Sequence, residues 1–252
     1  MKIEVEGVLF DNLTESEVVE EVFTRLEAQS GGHILTPNVD VLRQLQRGYD
    51  DDLARRSALV VPDGMPIVWA SRIMRTPLRE RVTGASLVWS LSEGAAERGA
   101  SVFLLGGAPG VADQAASAFQ ERYPDLTIAG TCCPPLGFEE DHEALADVHR
   151  AIADAQPDIV FIALGHPKQD WLGSTLASHF PGTWFLGCGG ALTMAANLVP
   201  RAPRWLGALG LEWLHRFLHE PRRLFKRYFV DDAPFAAGLL FRAARRRLYA
   251  PL

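Results

Sequence analysis

Across its first 200 residues the chain alternates short, almost wholly apolar runs with longer segments of helical period, a rhythm that restricts it to a parallel α/β architecture. Ala58–Val61 (A-L-V-V), Val102–Leu105 (V-F-L-L), Ile159–Leu164 (I-V-F-I-A-L) and Trp184–Leu186 (W-F-L) read as strands. His33–Thr36 and Leu126–Ala129 fit the same pattern. Strands without polar alternation are buried on both sides, so helices must cover both faces of the sheet. Thr14-Glu15-Ser16-Glu17 spells a capping box that starts the first helix. The expected fold is a Rossmann-like parallel sheet over residues 1–200. In such sheets ligands bind beyond the carboxyl ends of the strands, so the residues that follow each strand carry the functional information.

From Ala202 the rhythm stops. Leu206, Leu209, Trp213 and Phe217, with Gly210, Leu214 and Leu218 beside them, mark an amphipathic helix. Pro221 opens another, Asp231-Asp232-Ala233-Pro234 is expected to break it, and a last helix follows from Phe235. Residues 201–252 hold 11 of the 25 Lys and Arg but only 4 of the 31 Asp and Glu. This appendage is therefore +7, whereas the first 200 residues are −13. Arginine set among Trp, Leu and Phe suits phosphates, an anionic membrane surface, or both. No stretch approaches the roughly 18 apolar residues of a membrane span. The start, M-K-I-E-V-E-G, has no apolar signal core, so a cytoplasmic protein is expected. Cys132, Cys133 and Cys188 form neither a zinc spacing nor a disulfide framework.

Several strand ends carry residues with chemistry. Thr36 and Asn38 follow the run at 33–36, where Asn38 either faces the crevice or caps the next helix. Asp63, between Pro62 and Gly64 after A-L-V-V, is either a turn residue or a carboxylate able to act as general base. Arg81, in R-V-T-G, either holds an anion or lies on the surface. Gly106 and Gly107 either admit a phosphate to a helix N-terminus or make a tight turn. The segment is not G-x-G-x-x-G, which disfavours a nicotinamide dinucleotide. After the strongest strand come His166, an acid or base near neutral pH or a structural turn residue, and Gln169, able to read a base or sugar by paired hydrogen bonds.

The order of these motifs is more telling than any one of them. T-P-N-x-D, P-D-G, R-V-T-G, L-G-G-x-P-G, G-x-P-K-Q-D-x-W and then R-A-P-R-W, G-L-E-W-L-x-R and E-P-R-R-x-x-K-R-Y resembles the WecG/TagA/CpsF glycosyltransferase family over residues 3–229. The resemblance implies an inverting enzyme of cell-envelope polysaccharide synthesis. Such an enzyme transfers a sugar, commonly N-acetylmannosamine or its uronic acid, from a UDP donor to an undecaprenyl-diphosphate-linked acceptor. It implies that Asp63 is the catalytic base, with Thr36, Asn38, Arg81 and Gln169 around the same pocket. It assigns the appendage arginines, here Arg216, Arg222, Arg223 and Arg227, to the donor diphosphate, and the appendage to membrane docking.

The chain departs from the family pattern at three places. Ser86 stands where R-V-T-G-x-D has Asp, Leu192-Thr193 where G-V-G-x-x-F-D has an aromatic-acid pair, and Asp170 where Glu is usual. The first two imply a changed donor preference, toward a plain UDP-hexose or a UDP-uronic acid. No D-x-D triplet follows a strand, and Asp50-Asp51-Asp52 reads as solvated charge. A metal-independent reaction without cofactor is therefore expected, with arginines neutralising the diphosphate. The expected location is the inner face of the cell membrane, held peripherally by Phe235–Tyr249; no nucleic-acid partner is expected. The rival reading is a non-catalytic nucleotide- or anionic-lipid-binding module.

Overall fold

The computed structural model describes residues 1–50, 52–200, 206 and 212–249. All six expected strands are present and form one parallel sheet in the order β4-β3-β8-β7-β5-β6. They are β3 (Gly32–Leu35), β4 (Leu59–Val60), β5 (Ser101–Gly106), β6 (Thr127–Cys132), β7 (Ile159–Ala163) and β8 (Trp184–Gly187). Side chains alternate between faces along each strand. Val102, Leu104, Ile159, Phe161, Trp184 and Leu186 share one buried cluster with α1 (Glu15–Glu27), α5 (Gly84–Arg98), α6 (Val111–Arg122) and α9 (Ala191–Ala195). Phe103, Leu105, Val160, Ile162 and Phe185 enter a second with α7 (His142–Ala155) and α8 (Lys168–His179). This two-sided burial is why these strands read as continuous apolar runs. The capping box of α1 is closed, with Glu17 N–H donating to Thr14 Oγ1 at 3.3 Å and Thr14 N–H to Glu17 Oε2 at 2.9 Å.

The first residues, expected only to lack a signal, form an antiparallel hairpin of β1 (Lys2–Val5) and β2 (Val8–Asp11). Its inward residues Ile3, Val5, Val8 and Phe10 join a third cluster. Leu35 and Val60 of the sheet also enter it, together with α2 (Val39–Gln46), α3 (Leu53–Arg56) and α4 (Met65–Ile73). The signal was the alternation I-E-V-E followed by Gly7 and a second apolar run.

The appendage differs from expectation in two respects. Helices Glu212–His219 and Pro221–Phe225 are present, while Leu209 and Gly210, part of the helix expected from Leu206, lie outside the described residues. The chain does not break at Asp231-Asp232. It runs through a π-helical stretch, Lys226–Asp232, straight into a terminal helix, Ala233–Tyr249. Pro234 falls where the π-helical stretch gives way to the terminal helix, a junction at which the backbone hydrogen-bond pattern already changes.

The terminal helix was expected to lie on a membrane. Instead Leu239 and Ala243, each 1% exposed, are buried in the third cluster, with Phe235 and Leu240 packed against it. Arg242 pairs with Glu6 at 2.8 Å and Arg246 with Glu4 at 3.7 Å. Of the apolar residues that suggested a lipid-facing helix, Leu239 and Leu240 pack into this cluster, while Phe241 and Leu248 are exposed. No described helix is long and apolar enough to cross a membrane. Truncating Leu239 to Ala should cost about 2–4 kcal/mol in chemical denaturation, the range for a cavity in a packed core. Phe241→Ala, at a residue 69% exposed, should change stability by less than about 0.5 kcal/mol. Equal small effects would mean that this helix is not part of the core.

Candidate active site

Four adjacent strands, β4, β3, β8 and β7, end at one cleft of about 440 Å³. The loop after β3 supplies Thr36 and Asn38, and the loop after β4 supplies Asp63 and Gly64. The loop after β7 supplies Gly165, His166 and Gln169, and that after β8 supplies Gly187 to Gly190. The segment leading into α5 adds Arg81, Thr83 and Gly84. The far wall comes from the appendage, with Trp213, Arg227, Tyr228, Phe229 and Asp232, and Trp69 of α4 closes one edge. A hollow of similar size between α1 and α5 is lined by Glu15, Glu20, Glu80, Glu93 and Glu97, with Arg98 as its one lining cation. Those carboxylates would repel a diphosphate, so the strand-end cleft is the functional candidate.

Backbone hydrogen bonds lock the loops together. Asp63 N–H donates to Pro37 O at 3.0 Å, and Val82 N–H to Pro62 O at 2.9 Å. The Asp63 carboxylate is thereby set between the β3 loop and the Arg81 segment. Arg81 Nη1 lies 3.9 Å from Asp63 Oδ1, and both side chains are about three-quarters or more buried. Asn38 does both things expected of it: its Oδ1 accepts from Val41 N–H at 3.1 Å, capping α2, and it lines the cleft. Gln169 is a staple. Its Oε1 accepts from Gly165 N–H at 3.1 Å and Gly189 N–H at 2.9 Å, tying the β7 loop to the β8 loop. Gly187 permits this approach, since a Cβ there would lie 2.8 Å from both Gln169 Nε2 and Asp170 Oδ1.

Behind the staple lies a buried polar chain that sequence reasoning missed. His166 Nδ1 is 2.7 Å from Asp170 Oδ2, and Asp170 Oδ1 is 3.8 Å from His33 Nε2. His33 Nδ1 in turn lies 2.9 Å from Ser57 Oγ. Burial drives the His33 pKa down to about 4, with Asp170 opposing and Arg56 assisting, so His33 is neutral near pH 7. The visible sign was Asp170 itself, four residues after His166 and in the first turn of the helix that follows it.

The other expected residues are not brought to the cleft. Gly106 ends β5, one strand beyond the cleft, Gly107 follows it, and neither lines the cleft. They make the tight turn into α6: φ is +96° and +83°, and a Cβ on Gly106 would stand 2.8 Å from Ala163 O. Arg222 is exposed and does not line the cleft. Arg216 and Arg223 lie on described helices, but their side chains are outside the described residues. The departures at Ser86 and Leu192-Thr193 also lie off the cleft. Ser86 bonds Thr83 at the start of α5, Leu192 is fully buried in the core, and neither Ser86 nor Thr193 lines the cleft.

Arg227 does reach the cleft, but its guanidinium is shared. Nη2 lies 3.2 Å from Asp40 Oδ2, and Nε lies 3.6 Å from Asp232 Oδ2. Arg43 contacts the same two acids, at 2.5 Å from Asp40 and 3.6 Å from Asp232. This four-charge cluster fastens the appendage to α2. Burial, then Asp40, raises the Asp232 carboxyl to about 6 against the opposing pull of Arg227 and Arg43, with Asp231 adding to the rise. The folded chain thus holds a proton that the unfolded chain has already released. The stability this contributes is present below the ordinary carboxylate value and lost as pH rises through about 6. Asp232→Asn should therefore gain thermal stability over the parent as pH is raised from about 5 to about 8, with the gain vanishing at the acid end. A melting-temperature difference that shrinks with rising pH would reverse this sign.

Comparison with known proteins agrees with the motif order. The family described as "Glycosyl transferase WecG/TagA/CpsF family" matches residues 3–249. A Staphylococcus aureus (strain MW2) relative, N-acetylglucosaminyldiphosphoundecaprenol N-acetyl-beta-D-mannosaminyltransferase, is 30% identical over 232 residues, covering 88% of this chain and 87% of its own. A Bacillus spizizenii relative of the same name is 30% identical over 201 residues, covering 79% of this chain and 76% of its own. With a match that spans both the strand-end cleft and the appendage, the chain belongs to the WecG/TagA/CpsF family of glycosyltransferases.

Proposed function

We propose that this glycosyltransferase moves an N-acetylmannosamine-type sugar from a UDP donor to a saccharide carried on undecaprenyl diphosphate, with inversion at the anomeric carbon. The observation that carries the reading is the meeting of Asp63, Arg81, Thr36, Asn38 and Gln169 at one cleft in a chain of this family. The relatives' printed names support the acceptor and the sugar class. The departures at Ser86 and Leu192-Thr193 lie away from the cleft and so give no reason for a different donor.

In this reading Asp63 takes the proton from the acceptor hydroxyl as its oxygen attacks the anomeric carbon. The bond to the donor breaks on the opposite face, and the electron pair leaves with UDP. Charge on the departing diphosphate is met first by Arg81, a cation already in place on the cleft wall as the charge develops. The N-terminus of α5, with Thr83, Gly84 and Ala85 on the cleft wall, adds its dipole in the same sense. Metal independence is part of the proposal.

The protein then works at the inner membrane face, where a lipid-linked acceptor presents its head group. Support comes from the helices between Glu212 and Asp232 and not from the terminal helix. Leu214, Leu218, Phe225, Phe229 and Val230 are exposed there, beside exposed Arg222 and Lys226. Apolar anchors among cations suit an anionic bilayer surface.

Asp63→Asn should lower kcat by about 10²–10⁴-fold, the range for a lost general base, with UDP affinity nearly unchanged. Turnover should survive exhaustive EDTA treatment. Near-parental kcat in the variant removes Asp63 from the chemistry, and EDTA loss rescued by Mg²⁺ removes metal independence. A protein that binds UDP but releases none from a UDP-sugar and acceptor is a binding module. Separately, the double variant Leu218→Glu/Phe225→Glu should float less with anionic liposomes than the parent, while a chain ending at Asp232 should be a poor test because it exposes the third core cluster. Undiminished flotation of the double variant removes this surface from the membrane contact.

A further inference from the structure

The cleft's hydrogen-bonding groups are mostly committed to the protein itself. Asn38 Oδ1 holds Val41 N–H, Thr83 Oγ1 holds Ser86 N–H, and Gln169 Oε1 holds Gly165 and Gly189 N–H. Asp63 faces Arg81. His166 is different. Its side chain is 7% exposed and lines the cleft, yet its Nε2 is buried with no hydrogen-bond partner. Leaving a buried polar atom unmet is destabilising, and a bound ligand group that bonds it recovers that loss.

The geometry also fixes what that atom can do. Asp170 Oδ2 lies 2.7 Å from His166 Nδ1, so the carboxylate accepts the ring's proton there. In the neutral ring Nε2, on the side turned away from Asp170, then carries a lone pair and accepts. Asp170 is 2% exposed and held on its far side by the approach of His33, and the Tyr49 and His166 rings pack edge to face with centroids 5.9 Å apart. These neighbours leave the imidazole little freedom to turn its donor edge toward the cleft.

We propose that His166 is a specificity-determining residue whose Nε2 accepts a hydrogen bond from one hydroxyl of the transferred sugar. It rests on the glycosyltransferase reading above. It assigns Asp170 as a positioning residue that selects the accepting tautomer, and it leaves proton abstraction to Asp63. An acceptor on a locked ring selects for a hydroxyl at one place and against a donor lacking it, because the site's buried atom is then left unmet.

The test pairs the enzyme with a set of UDP-N-acetylmannosamine analogues, each lacking one ring hydroxyl, measured for kcat/KM alongside UDP affinity. In the parent one analogue should lose about 10- to 100-fold. In His166→Ala the full donor should lose a similar factor, while the penalty for that one missing hydroxyl falls to within about 3-fold. UDP affinity should be unchanged, since the contact is to the sugar. His166→Gln, which can place an amide oxygen near the same point, should recover part of the loss. The proposal is overturned if no analogue is penalised in the parent, or if His166→Ala keeps the same penalties as the parent. It is also overturned if UDP affinity falls as far as kcat/KM, which would make His166 a support of the nucleotide site. A parent that transfers no sugar from any UDP donor brings down the functional reading and this proposal with it. A parent that transfers with His166→Ala at full rate brings down this proposal alone.

Discussion

Strand β8 hydrogen-bonds to β3 on one side and to β7 on the other, although it is the last strand among the described residues and its neighbours come from opposite ends of the domain. Its insertion sets the loop carrying Thr36 and Asn38 beside the loop carrying His166 and Gln169. Trp184, Phe185 and Leu186 are fully buried, so the register of β8 is fixed by burial on both faces. Gln169 then ties the β7 loop to the β8 loop through two backbone N–H groups. A cleft assembled from four strand ends is only as ordered as the hydrogen bonds between its loops, and here a side chain from α8 supplies the cross-tie. The catalytic carboxylate proposed at Asp63 is held the same way, through backbone bonds of Asp63 and Val82 to the neighbouring loops.

The appendage is joined to the domain by two interactions of different kinds. The terminal helix buries Leu239 and Ala243 against the β1–β2 hairpin and α4, a contact that salt does not screen. The π-helical stretch before it is fastened by charge, through Asp40, Arg43, Arg227 and Asp232. The first anchors the chain's end and the second sets the cleft's far wall. Arg227 illustrates the consequence. An arginine between two carboxylates has already surrendered part of its field, so a diphosphate must compete with Asp40 and Asp232 for it. Its place in the structure is that of a clasp between α2 and the appendage, and the cations available to a leaving group are to be sought first at Arg81.

The sheet was legible because its strands are buried on both faces and so appear as unbroken apolar runs in the sequence. The crevice followed, since ligands in such sheets gather at the carboxyl ends of strands, and Thr36, Asn38, Asp63, Arg81 and Gln169 all lie there. The hairpin was missed because each of its strands is four residues long and half of each faces solvent, a weak signal. The packed face of the terminal helix was not foreseen because apolar residues such as Leu239 and Leu240 beside arginines look the same whether they face lipid or a core. Only the presence of an unpaired hairpin and α4, each with an apolar face to cover, decides between them. Gly106 and Gly107, which lie off the cleft, were ambiguous for a related reason, since a phosphate cradle and a tight turn demand the same residues. The Ser57–His33–Asp170–His166 chain was invisible because three elements distant in sequence bring it together.

The departures from the family pattern take on a different meaning once they are placed. A changed residue in a strand-end motif suggests a changed ligand, but only if its side chain reaches the cleft. Leu192 is fully buried, so an aromatic ring there would contact core residues and not sugar, and the exchange is one of packing volume. Ser86 Oγ donates to Thr83 O at 3.1 Å and lies 2.9 Å from Thr83 Oγ1, so its contacts stay within the first turn of α5; an Asp there could accept from the Thr83 hydroxyl but could not make the bond to Thr83 O. The third departure, Asp170 for Glu, is the one that reaches the site, because its carboxylate holds a cleft-lining imidazole. A glutamate is longer by one methylene, enough to move its oxygens by more than the tolerance of a 2.7 Å bond. The difference that bears on recognition of the sugar is therefore the smallest of the three by sequence, and it acts through His166.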